Sequence, residues 1–519
     1  MSTTLQRIAD LSSVQKRALL SELLQKKADQ SASYHPLSYN QQGIWFLYQL
    51  APESSVYNVN FAARITSDLD VPALKRAFQT LIDRHPALRT TFPVQFGKPV
   101  QRVHESRTIC FEQVETSNWD SSELENRLLE EAYDPFDLER GPLLRVTLFT
   151  QSKGAHILLL VVHHIVIDFW SLAILLDELN ILYPAESAGV KAPLPRLQLK
   201  YTDYVGWQAE MLAGPEGERL WTYWRKQLGG KLPTLQLRTD RLRPAIPTYR
   251  GASHDFTINA ELSTGLRALA KAHGATLYMV LLAAFQVLLS YHTGQDELLV
   301  GSPMVGRSRV EFEGIVGLFT NPVVLRANLF ANPTFQEFLV QVRETVLGAL
   351  EHQDFPTVLL VERLRPPRDL SRPPLCQVMF VLDKPHKTAR SGAPAFAASE
   401  TGLRMNPGGL VLDSVPLERR AATLDLVLLI FETQESLAAA MRYNTDLFDA
   451  ATVARMSRHY EILLRGLLQE PTARIDRLKR TLADADAQYQ IKIQREQKRV
   501  NTQRLTHLKR RAILTRASE

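Results

Sequence analysis

The sequence predicts an α/β protein built as two lobes, and three observations lead there. Short aliphatic runs with strand character alternate with longer stretches of helical period. The length, 519 residues, exceeds what one hydrophobic core supports and calls for two or more domains. A polar stretch with Pro193, Pro195, Pro233, Pro244 and Pro247 brackets a predicted helix, Tyr201 to Gln227, and marks a junction between halves.

Along the chain, residues 1–33 form an N-terminal helical linker or docking segment. Leu19, Leu20, Leu23 and Leu24 make an apolar stripe, and Ser12 or Ser13 can cap it. The first lobe is assigned to residues 34–207. Its periodicity predicts a helix from Val71 to His85, with Leu74, Phe78, Leu81 and Ile82 on one face. Strands are expected over Leu143 to Phe149 and His156 to Ile167, around a Ser152-Lys153-Gly154 turn, and a helix over Leu172 to Leu182.

The second lobe is assigned to residues 208–475. A long helix from about Ala260 to Tyr291, broken near Gly274, precedes strands at Leu298 to Gly301 and Leu318 to Leu329. A helix over Gln336 to Leu350, strands at Gln377 to Leu382 and Asp425 to Phe431, and a helix over Ala450 to Gln469 follow. Residues 476–519 are left as a basic helical or disordered tail.

Composition narrows the function classes. The apolar fraction of 45% and charged fraction of 22% are those of an ordinary globular protein. Two cysteines, Cys110 and Cys376, offer no disulfide framework, which fits a reducing cytoplasm. No secretory signal is evident, and the most apolar long stretch, Leu277 to Tyr291, is too short to span a bilayer. The net charge of +6 belongs to the tail: residues 488–519 hold nine Lys/Arg against Glu496 and Glu519, which leaves the body near neutral. Without interleaved aromatics, that basicity does not point to nucleic acid.

One cluster concentrates chemistry. The apolar run ends in His163-His164, and Asp168 comes four residues later, followed by Phe169-Trp170-Ser171. Adjacent strand residues face opposite sides, so one imidazole faces a cavity while the other packs. Histidine suits proton transfer at neutral pH. By its residues alone the cluster is either a catalytic site or a satisfied hydrogen-bond cluster. A metal site is not expected, because neighbouring histidines cannot share an ion from opposite faces and no third ligand stands at suitable spacing.

The wider chain resembles the condensation domains of nonribosomal peptide synthetases, of the chloramphenicol acetyltransferase-like superfamily. Leu37 to Phe46, continuing into Tyr57-Asn58, is similar to the family's first motif, and Arg84 to Phe92 to its second. His163 to Asp168 resembles the active-site motif, and Tyr201-Thr202-Asp203-Tyr204 the fourth. Gly317 to Asn321, His352 to Pro356 and Arg368 to Leu375 resemble the fifth, sixth and seventh.

The resemblance implies two related lobes in a V, with a central tunnel entered from both ends. It implies an acyltransferase that condenses a carrier-bound acyl thioester, peptidyl or polyketide, with an amine. Ester formation with a hydroxyl acceptor and a non-catalytic docking scaffold are the alternatives. His164 is then the catalytic residue, Asp168 and Arg307 an ion pair between lobes, and His163 a packing residue. Phe169, Trp170, Ser171 and Asn321 are expected to line the substrate channel. Phe169 departs from the family, which has glycine there, a residue that permits positive φ and close backbone approach. The His pair argues against the heterocyclising branch.

No cofactor is expected on the chain itself, since the substrates ride on the phosphopantetheine of donor and acceptor carrier proteins. Synthetase or polyketide synthase modules are the expected partners, with neither membrane nor nucleic acid, for a cytoplasmic monomer. No adenylating or carrier segment is recognisable, so a free-standing enzyme or a domain of a larger synthetase is expected, with Met1 and the basic tail favouring free-standing or terminal placement.

Overall fold

The aliphatic runs His156–His163 and Leu277–Thr293 sit at the centres of two hydrophobic cores, one per lobe. The computed structural model describes residues 32–151, 154–367, 369–383, 404–433, 435–489 and 491. The helix expected within residues 1–31 and the basic residues from 492 onward lie outside the described residues.

In the first lobe, strands β1 (Asn58–Ile65), β2 (Cys110–Glu115), β3 (Leu144–Thr150) and β4 (His156–His163) share one sheet. β4 is buried along its whole length between antiparallel β1 and β3, which is why its sequence shows no polar alternation. Around it lie helices α1 (Tyr39–Leu50), α2 (Val71–Arg84), α3 (Ser121–Tyr133) and α4 (Phe169–Ser187). Asp70 caps α2 through the Ala73 N–H, and the helix buries Leu74, Phe78, Leu81 and Ile82 as its period predicts.

The predicted helix over Tyr201 to Gln227 is two helices, α5 (Tyr201–Ala213) and α6 (Pro215–Leu228). Pro215 has no N–H to continue α5, but its fixed φ suits the first position of α6. The long helix beyond is likewise two, α7 (Ala260–Ala272) and α8 (Leu277–Thr293), bent by 104° at the Gly274 break. Among the described residues no single helix is long and apolar enough to cross a membrane.

The second lobe's sheet holds β5 (Gly251–Ile258), β6 (Glu297–Met304), β7 (Asn321–Asn328) and β8 (Val378–Asp383). The chain then leaves this lobe. β9 (Arg404–Met405) and β10 (Leu412–Ser414) cross to the first lobe, where Leu412 pairs with Ile65 of β1. That sheet therefore runs β9-β10-β1-β4-β3-β2. The chain returns through β11 (Leu426–Glu432) and β12 (Leu437–Asn444), giving the second sheet the order β5-β12-β11-β8-β6-β7. Helices α9 (Phe335–Glu351), α10 (Thr357–Leu364) and α11 (Ala450–Gln469) complete the lobe.

The cores depart from the contiguous boundaries expected at 207/208 and 475/476. Helix α5 straddles the lobes: Tyr201, Tyr204 and Val205 join the first core and Leu212 the second. Phe312, Ile315, Val316, Leu318, Phe319, Leu410 and Leu412 also belong to the first core, although they fall late in the sequence. The tail begins later than expected, because a helix over residues 475–489 buries Ile475, Leu478 and Leu482 in the second core.

Candidate active site at the lobe boundary

The pleat of β4 stops at His163. The next three residues, His164–Val166, form a single 3-10 turn, and Asp168 then caps α4. The two imidazoles are therefore separated by this turn and not by strand alternation. The turn is pinned twice: His163 Nδ1 accepts from the Ile165 N–H at 3.2 Å, and Gln41 Nε2 donates to the Ile165 carbonyl at 3.1 Å.

His163 is buried, with Phe136 edge-on at 5.9 Å and Tyr57 at 6.3 Å between ring centroids. Burial, followed by the neighbouring His164, pushes its pKa down to about 3. His163 is a neutral packing residue at any physiological pH.

His164 is half-buried, with the rings of Tyr57 and Phe169 at 6.5 and 6.4 Å. Its backbone N–H donates to the Tyr57 carbonyl at 2.9 Å. Its Nδ1 lies 2.6 Å from the Ile167 carbonyl oxygen. A carbonyl only accepts, so Nδ1 carries the hydrogen and Nε2 of the neutral ring keeps its lone pair.

Behind this turn the second lobe is clamped onto the first. Asp168 is fully buried and accepts four hydrogen bonds. They come from the Ser171 N–H at 2.7 Å, the Phe319 N–H at 3.0 Å, and Arg307 Nη1 and Nη2 at 2.7 and 3.1 Å. Burial alone would raise its pKa, but the Arg307 charge and the bonds from Arg307 and Ser171 outweigh it and hold the carboxyl below its usual value. Arg307 also donates to Ser171 Oγ at 2.8 Å and to the Ile315 carbonyl at 3.1 Å. Its guanidinium lies 4.1 Å from the centre of the Phe319 ring.

Gly306, at φ 70°, makes the approach possible, since a Cβ there would stand 2.0 Å from the Phe319 carbonyl oxygen. Tyr201 finishes the clamp by donating to the Leu318 carbonyl at 2.6 Å.

The four residues expected in the substrate channel separate into two groups. Ser171 is fully buried and its hydroxyl is spent on Gly317, donating to the carbonyl at 2.9 Å and accepting from the N–H at 3.1 Å. Asn321 is spent as well: its amide donates to the carbonyls of Gln353 and Phe355 and accepts from the Thr357 N–H and hydroxyl. Both lock loops, and neither retains a polar atom for substrate. Trp170 donates to the Glu313 carbonyl at 2.9 Å.

Phe169 alone stands open, 39% exposed. It is the first residue of α4 and is not among the residues with positive φ, so the backbone at this position does not need glycine. Its ring neither folds into the core nor covers His164 face-on. Tyr57 continues the first motif in the sequence but carries no site role there. Its place follows from register, since Asn58 pairs with His163 across β1 and β4. A cavity of about 300 Å³ between α8, α9 and β7 lies inside the second lobe and includes none of these residues.

Comparison with known proteins agrees with this geometry. The family profile described as "Condensation domain" matches residues 31–490. A linear gramicidin synthase of Brevibacillus parabrevis is 42% identical over 440 residues, 84% of this chain and 6% of that protein. Chondramide synthase cmdD of Chondromyces crocatus is 39% identical over 444 residues, 85% of this chain and 11% of that protein. The chain thus spans a small part of the curated relatives it matches.

Among solved structures, the X-domain from teicoplanin biosynthesis aligns with a TM-score of 0.76 and 29% identity, over 85% of this chain and 96% of that one. The first condensation domain of the calcium-dependent antibiotic synthetase shares the fold, with a TM-score of 0.70 at 21% identity over 86% and 99% of the two chains. With its profile match, its relatives and a chloramphenicol acetyltransferase-like pair of lobes in agreement, the chain belongs to the condensation domains of nonribosomal peptide synthetases.

Proposed function

We propose that this chain is an acyltransferase that forms an amide between an acyl group and an amine. The acyl group arrives as a thioester on one carrier protein's phosphopantetheine, and the amine is presented by a second carrier. The amine nitrogen attacks the thioester carbonyl carbon while His164 Nε2 takes or holds the departing proton. The C–S bond then breaks, and the proton returns to the leaving thiolate. General acid–base help of this kind is typically worth about 10²–10⁴-fold. The thioester is already activated, so positioning of the amine is a full part of the residue's work.

The observation behind this reading is the hydrogen bond from His164 Nδ1 to Ile167, which presents a basic Nε2 on a half-buried ring at the lobe boundary. Asp168 is spoken for by four donors and serves as the strut of that turn. Cofactors enter only as the phosphopantetheine arms of partner carriers, within a nonribosomal or hybrid polyketide assembly line. A cytoplasmic enzyme fits the cysteine usage, with both thiols free.

A second reading has one observation in its favour. The X-domain of teicoplanin biosynthesis, 28% identical, was solved in complex with OxyB, so a fold of this kind can act as a docking platform. One experiment separates the readings: intact-mass detection of acyl transfer between two loaded carrier proteins, with matched amine and alcohol acceptors. Product lost in His164→Ala supports catalysis, and the acceptor consumed distinguishes amide from ester formation. Carrier binding with equal product from wild type and variant assigns the platform role.

A further inference from the structure

One polar side chain interrupts the apolar centre of the second lobe. Between Met279 and Leu289 of α8 every residue is apolar except Gln286, and all of them are buried. Gln286 is 1% exposed, and its Oε1 is closed off from solvent with no hydrogen-bond partner. Among the described residues its amide nitrogen meets no acceptor either. A buried amide left unpaired weighs against folding, and Leu or Met would fill the same helical position without that burden.

Gln286 forms part of the wall of the cavity of about 300 Å³ between α8, α9 and β7. Leu282 lies one turn before it on the same face of α8, and α9 contributes Phe338, Val342 and Val346 at helical spacing. These four and Leu325 of β7 are buried, so the enclosed part of the wall is apolar apart from this amide. The rim is polar and carries no unbalanced charge. Asn328 and Gln341 are exposed there, and Glu297 and Arg326 are the only charged residues in the wall. Arg326 donates to Glu297 Oε1 through Nε and Nη2 at 2.8 and 2.5 Å, and through Nη1 to the Gln227 carbonyl at 3.0 Å. Guanidinium and carboxylate offset each other, so nothing in the cavity favours a charged occupant.

A primary amide shows one donor and one acceptor side by side along its outer edge, and turning the group over only swaps them. Its complement is another cis-amide edge, as in a lactam or a primary carboxamide, which returns an acceptor and a donor in two parallel hydrogen bonds. An extended secondary amide holds its N–H and C=O on opposite sides and offers only one. The volume stands at the lower end of ligand cavities, about 300–1,000 Å³, and suits a small ring system. Water can also meet a buried amide, but it gains nothing from Leu282, Leu325, Phe338 and Val346.

We propose that this cavity is a binding site for a neutral lactam or primary carboxamide with a small apolar body, held edge to edge by the Gln286 amide. The site is separate from the His164 turn, so the proposal does not rest on the acyl-transfer reading.

Calorimetric titration of the full chain with two bicyclic probes of the same shape tests the pairing. Isocarbostyril has the lactam edge, whereas isocoumarin carries a ring oxygen where the lactam has N–H. The lactam should bind about tenfold tighter, the ratio that one net hydrogen bond supplies. In Gln286→Leu the ratio should fall to near one, with isocoumarin affinity kept. Methyl resonances of Leu282, Leu325, Val342 and Val346 should shift when the lactam binds the wild type. No binding of the lactam assigns the cavity to water and overturns the proposal. So do equal affinities in the wild type, a ratio untouched in Gln286→Leu, or methyl shifts confined to residues outside this wall. Should Gln286→Leu fail to fold, Gln286→Met, unbranched and of similar length, decides by the same ratio.

Discussion

Arg307 and Asp168 form a bidentate ion pair closed to solvent, at 2.7 and 3.1 Å, that joins the two lobes directly behind the His164 turn. Loss of either partner strands a buried charge, so Asp168→Ala and Arg307→Ala should each cost about 3–5 kcal/mol in chemical denaturation. The double variant should cost less than the two together. The Asp168 pKa is depressed in the fold. Its contribution is therefore complete above the unfolded value of about 4 and is lost as pH falls through the folded value. An unshifted melting curve for an inactive Asp168→Ala protein would contradict this structural role.

His164 should behave differently, since its ring is half-buried and its side-chain partner is one carbonyl. His164→Ala is expected to melt close to wild type while acyl transfer falls by about 10²–10⁴-fold. Single-turnover kinetics with loaded carriers would check both halves of that statement.

His163 carries a pH signature of its own. Its folded pKa of about 3 lies below the usual histidine value of about 6.5, so the unfolded chain binds the proton first. Stability should decline as pH drops below about 6.5, by up to about 1.4 kcal/mol per pH unit from this residue. His163→Asn should flatten the slope of denaturation midpoint against pH between pH 6.5 and pH 5.

Phe169 is exposed at the head of α4 and adopts no glycine-like backbone. Phe169→Gly should therefore cost no more than about 1 kcal/mol of stability. With the ring 6.4 Å from that of His164, its removal should change KM for the acceptor more than kcat. Unchanged kinetics across small and bulky acceptors would mean that the ring does not border the channel.

Gly317 stands where the clamp is tightest. A Cβ there would lie 2.0 Å from Tyr201 Cδ2, and that ring is itself buried. Gly317→Ala should destabilise by about 1–3 kcal/mol, the usual cost of overpacking. It should also loosen the Ser171 and Arg307 contacts, which would show as lost activity alongside the lowered melting temperature.

Local pattern made much of this protein readable. The period of α2, the uninterrupted apolar run of β4 and the break between α7 and α8 are written in neighbouring residues, where side-chain spacing alone sets the outcome. Less was readable where burial depends on distant partners. Strands β1, β5 and β12 went unrecognised, because each has its identity set by its ladder partners. The polar clamp residues misled for the opposite reason. Ser171 and Asn321 look available in the sequence, but their hydrogen-bonding capacity is used by backbone groups from remote loops.

From the chain of letters alone came the family, the two-lobe α/β class and the pair of histidines ahead of an aspartate, all carried by short contiguous motifs. Three-dimensional packing decided which core each segment joins, including β9 and β10 crossing onto β1, and it added the Ser171 and Phe319 N–H groups to the Asp168–Arg307 pair that the resemblance implies. It also set the two imidazoles apart, because a buried strand end desolvates His163 while the following turn leaves His164 partly in water. Burial and long-range contact are properties of neighbours in space, and no local spacing rule encodes them.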